Sequence, residues 1–243
     1  MRFLVYCSFV GTNYIGWQNQ PNGTSVQASL EAALSIFFNF NTSIVGCGRT
    51  DSGVHGRNYA FHFDTKDLFD PEFFVFKVNK LLPRDIVIHT VVSVDESFHA
   101  RFSATSRRYI YRIHTNKDPF ISQFSWHFDR IKPDSIGIMN ETAQFLIGLS
   151  DFASFAKTGS DNKTTLCNLI QCEWHSFDTR VELHIEANRF LRGMVRLIVG
   201  GCVNIAVGKL EMELMKKLSL EGQMLPYAFS VPAHGLTFEG VRY

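Results

Sequence analysis

Side chains able to do chemistry are concentrated in one short stretch of this sequence, Val45–Phe63, which reads V-G-C-G-R-T-D-S-G-V-H-G-R-N-Y-A-F-H-F. Arg49, Thr50, Asp51, Ser52 and His55 sit among Gly46, Gly48, Gly53 and Gly56, which free the backbone where a Cβ would clash. A plain hairpin turn uses about two to five residues, and this connection is longer. As an ordinary surface loop it would hold little more than an internal Arg49–Asp51 ion pair. Glycosidase-type work needs a second carboxylate near Asp51, and the nearest, Asp64 and Asp67, lie beyond the strand that follows. A metal site needs more convergent ligands than His55 and His62, so no metal is expected. A triad of Ser52, His55 and Asp51 would crowd three roles into one loop, with no strand-to-helix elbow to present the serine. What is left is a solitary carboxylate with an arginine two residues away, which would keep it ionised. Such an aspartate can be a nucleophile or a general base.

A second constellation is basic. Arg101, Arg107, Arg108 and Arg112 fall close together with Tyr109 and Tyr111, combining cations with π-faces as phosphate-and-base recognition requires. Arg189, Arg192 and Arg196 fall at i, i+3 and i+7 of a helix expected from Arg189 to about Ile205, capped by Asn188, next to an apolar stripe of Phe190, Met194 and Leu197. Each arginine taken singly reads as solvated or salt-bridged. Clustered in a chain of formal net charge +1, they point to a nucleic-acid partner through local segregation of charge. Tyr14 and Trp17, in the Gly11–Gly23 loop, read as packing residues.

These side chains need a scaffold, and its elements are legible. Arg2–Phe9 is rich in β-branched and aromatic residues and predicts a strand. Thr24-x-x-Gln27 has capping-box spacing ahead of an apolar stripe at Val26, Leu30, Ala33 or Leu34, and Phe37. Short strands are expected at Thr42–Cys47 and Asn58–Phe63, on either side of the Asp51 loop. Asp70-Pro71 starts a helix that runs to about Leu81 and stops before Pro83. Strands follow at Ile86–Val94 and Arg108–His114, a helix at Asp134–Leu146 ended by Gly148, a polar loop up to Thr165, and a hairpin of Leu166–Trp174 with Arg180–Ala187. A short helix near Glu211–Leu218 and a strand over Gly235–Tyr243 close the chain. This order predicts an α+β protein of two α/β lobes, residues 1–104 and 105–243, with antiparallel or mixed sheets joined across a central cleft.

The bulk numbers fit. The chain has 243 residues, 45% of them apolar, enough for a sizeable core. Five cysteines, an odd and scattered set without zinc spacing, read as buried free thiols in a reducing compartment. The N-terminal apolar run reads as a strand rather than a signal peptide, and no stretch approaches the ~20 residues that span a bilayer. A soluble cytoplasmic protein is expected, with no membrane partner.

The chain resembles the TruA family of tRNA pseudouridine synthases. The resemblance is carried nearly end to end by G-T-N-Y-I-G-W-Q (Gly11–Gln18), S-V-Q from Ser25, G-R-T-D-S-G-V-H (Gly48–His55) and V-N-K-L-L-P-R-D-I (Val78–Ile86). It continues through F-H-A-R-F-S-A-T-S-R-R-Y-I-Y (Phe98–Tyr111), D-F-A-S-F (Asp151–Phe155), F-L-R-G-M-V-R-L-I-V-G (Phe190–Gly200) and P-A-H-G-L-T-F-E-G-V-R-Y (Pro232–Tyr243). Two positions depart from the family pattern: Val10 stands where an Asp is usual, and Phe238 where Leu is common. The resemblance implies the pseudouridine-synthase fold and an isomerase that needs neither redox cofactor nor metal. It implies Asp51 as nucleophile and Arg49 as its partner, which helps hold the target nucleotide open. Tyr111 would stack on the uracil and is a candidate base for the C5 proton, and Arg196 would be a second arginine pairing with the carboxylate. Arg101, Arg107, Arg108 and Arg192 join Tyr111 as expected substrate contacts. The implied partner is tRNA, modified at positions 38, 39 and 40 of the anticodon stem-loop by a homodimer. The rival readings are an RNA-binding or RNA-folding protein of the same fold, and a synthase with different site specificity.

Overall fold

The structure, a computed structural model, describes residues 1–132, 134–157, 159, 162–226 and 229–243. The elements are β1 (Arg2–Phe9), α1 (Val26–Phe38), β2 (Ile44–Gly46), β3 (His55–Asp64), α2 (Pro71–Leu81), β4 (Ile86–Val94), β5 (Ser106–His114), β6 (Trp126–His127), α3 (Ser135–Ile147), β7 (Leu169–Phe177), β8 (Arg180–Ala187), α4 (Met194–Ala206), α5 (Met212–Leu220) and β9 (Leu236–Arg242). The class is α+β. By contacts the chain divides into two compact units, Met1–Thr105 with Thr237–Tyr243, and Ser106–Leu236. Placing all of 105–243 in one lobe therefore misassigns the last strand, which belongs with the first unit. Thr158, Ser160 and Asp161 of the expected polar loop lie outside the described residues. Among the described residues, no helix is long and apolar enough to cross a membrane.

In the first unit β3 is the central strand. One edge pairs antiparallel with β1, which pairs in turn with β4. The other edge is shared. β2 takes its far end through Ile44↔Phe63, and β9 takes its near end in parallel through His55↔Thr237 and Gly56↔Phe238. Residues 47–54 therefore leave the sheet where one neighbour of β3 has ended. α1 buries Val26, Leu30, Ala33, Leu34 and Phe38, so the inward stripe ends on Phe38 rather than on the expected Phe37, which is only half-buried. Phe37 and Phe38 of α1 and Phe74 of α2 meet one another, and Phe38 and Phe74 also meet Phe63, at ring-centroid distances of 4.9–6.0 Å. The cap of α1 is Ser25, not Thr24: its hydroxyl accepts from the Ala28 amide at 3.0 Å. Ser25 is extended and immediately precedes the first helical residue, so it holds the capping position. Gln27 is used elsewhere, donating to Glu31 at 2.9 Å and to the Ile44 carbonyl at 3.3 Å. α2 matches its sequence signals, with Asp70 accepting from the Phe73 amide at 2.7 Å and Pro71 as the first helical residue.

In the second unit β5 and β7 flank β8 antiparallel, and β6 adds in parallel to β5. One face carries Tyr109, Tyr111, Ile113, Val181, Leu183 and Ile185, all buried. α3 is pinned to β7 by Asn140, whose side chain donates to the Trp174 carbonyl at 2.9 Å and accepts from its amide at 2.8 Å. On the other face the charges are used internally: buried Glu182 receives Arg112 at 3.3 Å, Arg180 at 3.1 Å and His184 at 3.1 Å. The helix expected from Arg189 begins only at Met194. Gly193, at φ 73°, turns the chain just before it, and the Asn188 side chain is occupied as an acceptor for the Asn168 amide at 2.8 Å. Arg189 and Arg192 therefore lie in the connection ahead of α4, and only Arg196 is on the helix; the basic helical stripe does not form. The five cysteines are free and buried, and burial pushes the thiols of Cys202 and Cys167 up to about 12 and about 11.

Candidate active site

The Asp51 loop is shaped by residues that do no chemistry themselves. The Cys47 amide donates to the Ala60 carbonyl at 2.8 Å and continues the β2–β3 ladder by one residue. Tyr59 then takes over: its hydroxyl receives the Gly48 amide at 3.3 Å and donates to the Gly48 carbonyl. Beyond Gly48 the loop lies along the Gly11–Gln18 segment. The Trp17 amide donates to Thr50 O at 3.3 Å, the Gly53 amide to Tyr14 O at 3.3 Å, and Ser52 Oγ to the same Tyr14 carbonyl at 3.2 Å. Gly16 has a φ of +105°, and a Cβ there would run into the Thr50 carbonyl. A side chain at that point would therefore both strain the backbone and push the Asp51 loop away. Trp17 stacks on Tyr59 at 4.0 Å, and Tyr14 donates to Asp85 at 2.6 Å, so both aromatics act as packing residues as the sequence suggested. Val10, which stands where the family usually has Asp, donates its amide to Asp85 O at 2.9 Å, and the Asp85 carboxylate accepts from Tyr14 Oη.

Asp51 is half-buried, and its backbone carbonyl accepts from the Val54 amide at 3.2 Å, which fixes the turn beneath its side chain. Arg49 is exposed and forms no hydrogen bond or ion pair among the described residues, so the internal Arg49–Asp51 pair of a closed surface loop is absent. The loop is drawn out along Gly11–Gln18, which leaves the guanidinium in water. His55 is buried, and its Nδ1 accepts from the Gly11 amide at 3.0 Å. With Ser52 bonded to Tyr14 and His55 to Gly11, neither group is arranged as a triad member. Thr50, one of the loop's polar side chains but given no role by the sequence, has a buried hydroxyl with no hydrogen-bond partner among the described residues. The only signal for it in the sequence is its position between Arg49 and Asp51.

The second unit holds the remaining candidates. Tyr111, in register with Leu183 on β5, is fully buried, and its hydroxyl donates to Pro232 O at 2.9 Å. Burial raises its pKa well above the ordinary tyrosine value, against the opposing charge of Arg196, so the phenol is neutral. Gly235 packs against this ring: a Cβ there would lie 2.7 Å from Tyr111 Cζ. Arg196, in the first turn of α4, donates from Nε to Val231 O at 2.7 Å. Tyr111 and Arg196 thus meet at one segment. Arg107 donates to Asn188 O at 2.8 Å and is half-buried, while Arg108 and Arg192 are exposed. Arg101, in the first unit, is exposed with its guanidinium 5.6 Å from the Phe102 ring. No group of three or more His, Cys, Asp or Glu among the described residues could hold a metal ion.

The family model described as tRNA pseudouridine synthase matches residues 6–103 and 142–243. Arg49, Asp51, Arg101, Arg192 and Arg196 fall within the matched segments, and Arg107, Arg108 and Tyr111 lie between them. The chain is 39% identical over 246 residues to a tRNA pseudouridine synthase A of Bacteroides thetaiotaomicron, covering 100% of this chain and 90% of that protein. It is 36% identical over 242 residues to one of Azobacteroides pseudotrichonymphae, covering 100% and 96%, and 35% identical over 248 residues to one of Bacillus pumilus, covering 100% and 99%.

Proposed function

This chain belongs to the tRNA pseudouridine synthase family, and from that membership we propose that it isomerises uridine to pseudouridine in tRNA, at positions 38, 39 and 40 of the anticodon stem-loop. The observation that carries the reading is the end-to-end match, together with the braced loop that presents the half-buried Asp51. The reaction breaks the N1–C1′ bond, turns the base and forms a C5–C1′ bond. A proton leaves C5 and one is gained at N1, so no electron acceptor is consumed.

Asp51 is the nucleophile in this reading. Addition to the sugar C1′, assistance to glycal formation and attack at uracil C6 are all open to a carboxylate so placed. Arg49, exposed at the mouth of the loop, takes the place of the extruded base. The Thr50 hydroxyl gains its missing partner from the bound nucleotide. Tyr111 packs against the uracil and accepts the C5 proton. That second role requires the phenol first to give up its own proton, to the N1 that the cleaved N1–C1′ bond frees, a transfer that burial opposes and Arg196 favours. Arg196, in the first turn of α4, is the second active-site arginine of this reading. The target must leave the helical stack, at a cost of a few kcal/mol, and the exposed Arg101, Arg108 and Arg192 hold the RNA backbone, with Arg107 beside them. The enzyme works as a homodimer in the cytoplasm, where tRNA is modified.

The test is to map pseudouridine in tRNA from a strain lacking the gene, before and after supplying the purified protein. Loss and restoration at 38–40 is the expected result. Restoration elsewhere would leave a synthase of different specificity. Absence of tritium release from C5-labelled uridine with any tRNA would leave an RNA-binding protein.

A further inference from the structure

Phe102 is 75% exposed, yet the turn that carries it is fixed on every side. Ser103 donates its amide to His99 O at 2.8 Å, and the His99 amide donates to Ser103 Oγ at 3.0 Å. His99 Nδ1 then accepts from the amides of Arg101 at 3.1 Å and Phe102 at 3.3 Å. Three distant segments hold the same turn from outside. Arg2 of β1 donates to Phe98 O at 2.7 Å, His62 of β3 accepts from the Ala100 amide at 3.1 Å, and Tyr243 donates to Ala100 O at 3.1 Å. A backbone tied down this thoroughly fixes where the Phe102 side chain leaves the chain. The phenyl group is held in water, with the His99 ring 4.3 Å away on an interplanar angle of 33° and the Arg101 guanidinium 5.6 Å from its centroid.

An aromatic face flanked by an imidazole and a guanidinium is the chemistry that takes an unstacked nucleobase: the base lies on the ring, and the cation holds its phosphate or its π-face. We propose that Phe102, flanked by His99 and Arg101, is a stacking platform for an unpaired nucleobase of the tRNA. The inference rests on the reading of this chain as a tRNA-modifying enzyme, and it adds a binding residue outside the Asp51 loop. A second copy of the chain is the competing occupant, and charge decides against it: the cation beside the ring suits a polyanion.

The full-length enzyme and transcribed tRNA test this. Phe102→Ala should raise KM for tRNA by roughly 5- to 100-fold, the usual range for losing one base–aromatic stack, with kcat and melting temperature unchanged. Phe102→Trp and Phe102→Tyr should keep the wild-type KM, and Phe102→Leu should behave like Ala. A wild-type KM in Phe102→Ala overturns the proposal, as does full recovery by Leu. A drop in melting temperature that tracks the loss of affinity would make Phe102 a folding residue. A change in sedimenting mass would make it a contact between copies. Either result overturns the platform. Failure of the wild type to form pseudouridine in any tRNA would instead sink the functional reading on which the platform depends.

Discussion

Tyr111 and Arg196, on different elements of the second unit, donate to consecutive carbonyls: Tyr111 Oη to Pro232 O at 2.9 Å and Arg196 Nε to Val231 O at 2.7 Å. The Val231 amide returns a bond to Arg196 O at 3.4 Å. The two side chains are therefore coupled through one short segment, and each restrains what the other touches. Tyr111→Phe should cost about 1 kcal/mol of stability and Arg196→Gln about 1.5–3 kcal/mol, since the second bond is charge-assisted. The double variant should lose less than the sum, because both bonds fix the same segment. Urea unfolding of the four proteins measures the coupling, and strict additivity would show the bonds to be independent. Turnover of Tyr111→Phe should fall by about 10²- to 10⁴-fold, the range for losing a positioned proton acceptor.

Asp51→Asn keeps the side-chain volume and removes the charge. Its backbone turn, through the Val54 amide, needs no carboxylate. Pseudouridine formation should drop by more than ~10³-fold, as for other lost nucleophiles, while tRNA affinity stays within a few-fold of wild type. Tritium release and filter binding on the same preparation measure the two quantities. Normal turnover in this variant would end the assignment of Asp51 as nucleophile.

The glycines around the loop are not equivalent. The resemblance to the pseudouridine synthases implies that Gly48 and Gly53 both shape a loop that admits a flipped nucleotide. The structure separates them: a Cβ at Gly48 meets nothing within 4 Å, whereas Gly53 has a φ of 79°. Gly48→Val should leave the melting temperature near wild type while lowering turnover. Gly53→Val and Gly16→Ala should lower both, through a strained left-handed backbone worth roughly 1–2 kcal/mol and, at Gly16, a clash with Thr50 O. Thermal melts beside single-turnover rates distinguish these cases. Equal losses in Gly48→Val would mean that the open space has no functional use.

His62 should make stability fall in mild acid. It is buried, and its Nδ1 must stay unprotonated to accept the Ala100 amide. Burial first, then the charge of Arg2 and of His99, lowers its pKa to about 4 from an ordinary 6.5. The unfolded chain therefore binds a proton between these values that the folded chain refuses. The contribution is whole above pH ~6.5 and is lost as pH falls toward ~4, by at most about 3 kcal/mol. His62→Gln keeps an acceptor without the titration. Its stability should be flatter between pH 6.5 and 4 than that of the wild type by urea unfolding. Identical slopes would place the acid sensitivity elsewhere.

Much of this protein follows from the sequence taken locally. β1, α2 and β4 have the bounds that alternation, the Asp70-Pro71 start and Pro83 predict, because the signals for each lie inside or beside the element. Asp51 stands out for the same reason, as a carboxylate left alone in a glycine-rich loop. What the sequence could not decide depends on partners far along the chain. α4 starts after Gly193 rather than at Arg189, because Asn188 is held by Asn168 and the glycine turns the chain left-handed. The last strand belongs with the first unit, because Thr237 and Phe238 pair with the edge of β3 that β2 leaves free. The Gly11–Gln18 segment supports the Asp51 loop through backbone bonds that no side-chain pattern announces. Tyr111 and Arg196 share the Val231–Pro232 carbonyls, and the Phe102 turn is fastened by Arg2, His62 and Tyr243. Periodicity and capping are short-range and can be written into neighbouring residues; the choice of hydrogen-bond partner across long separations is made only when the chain packs.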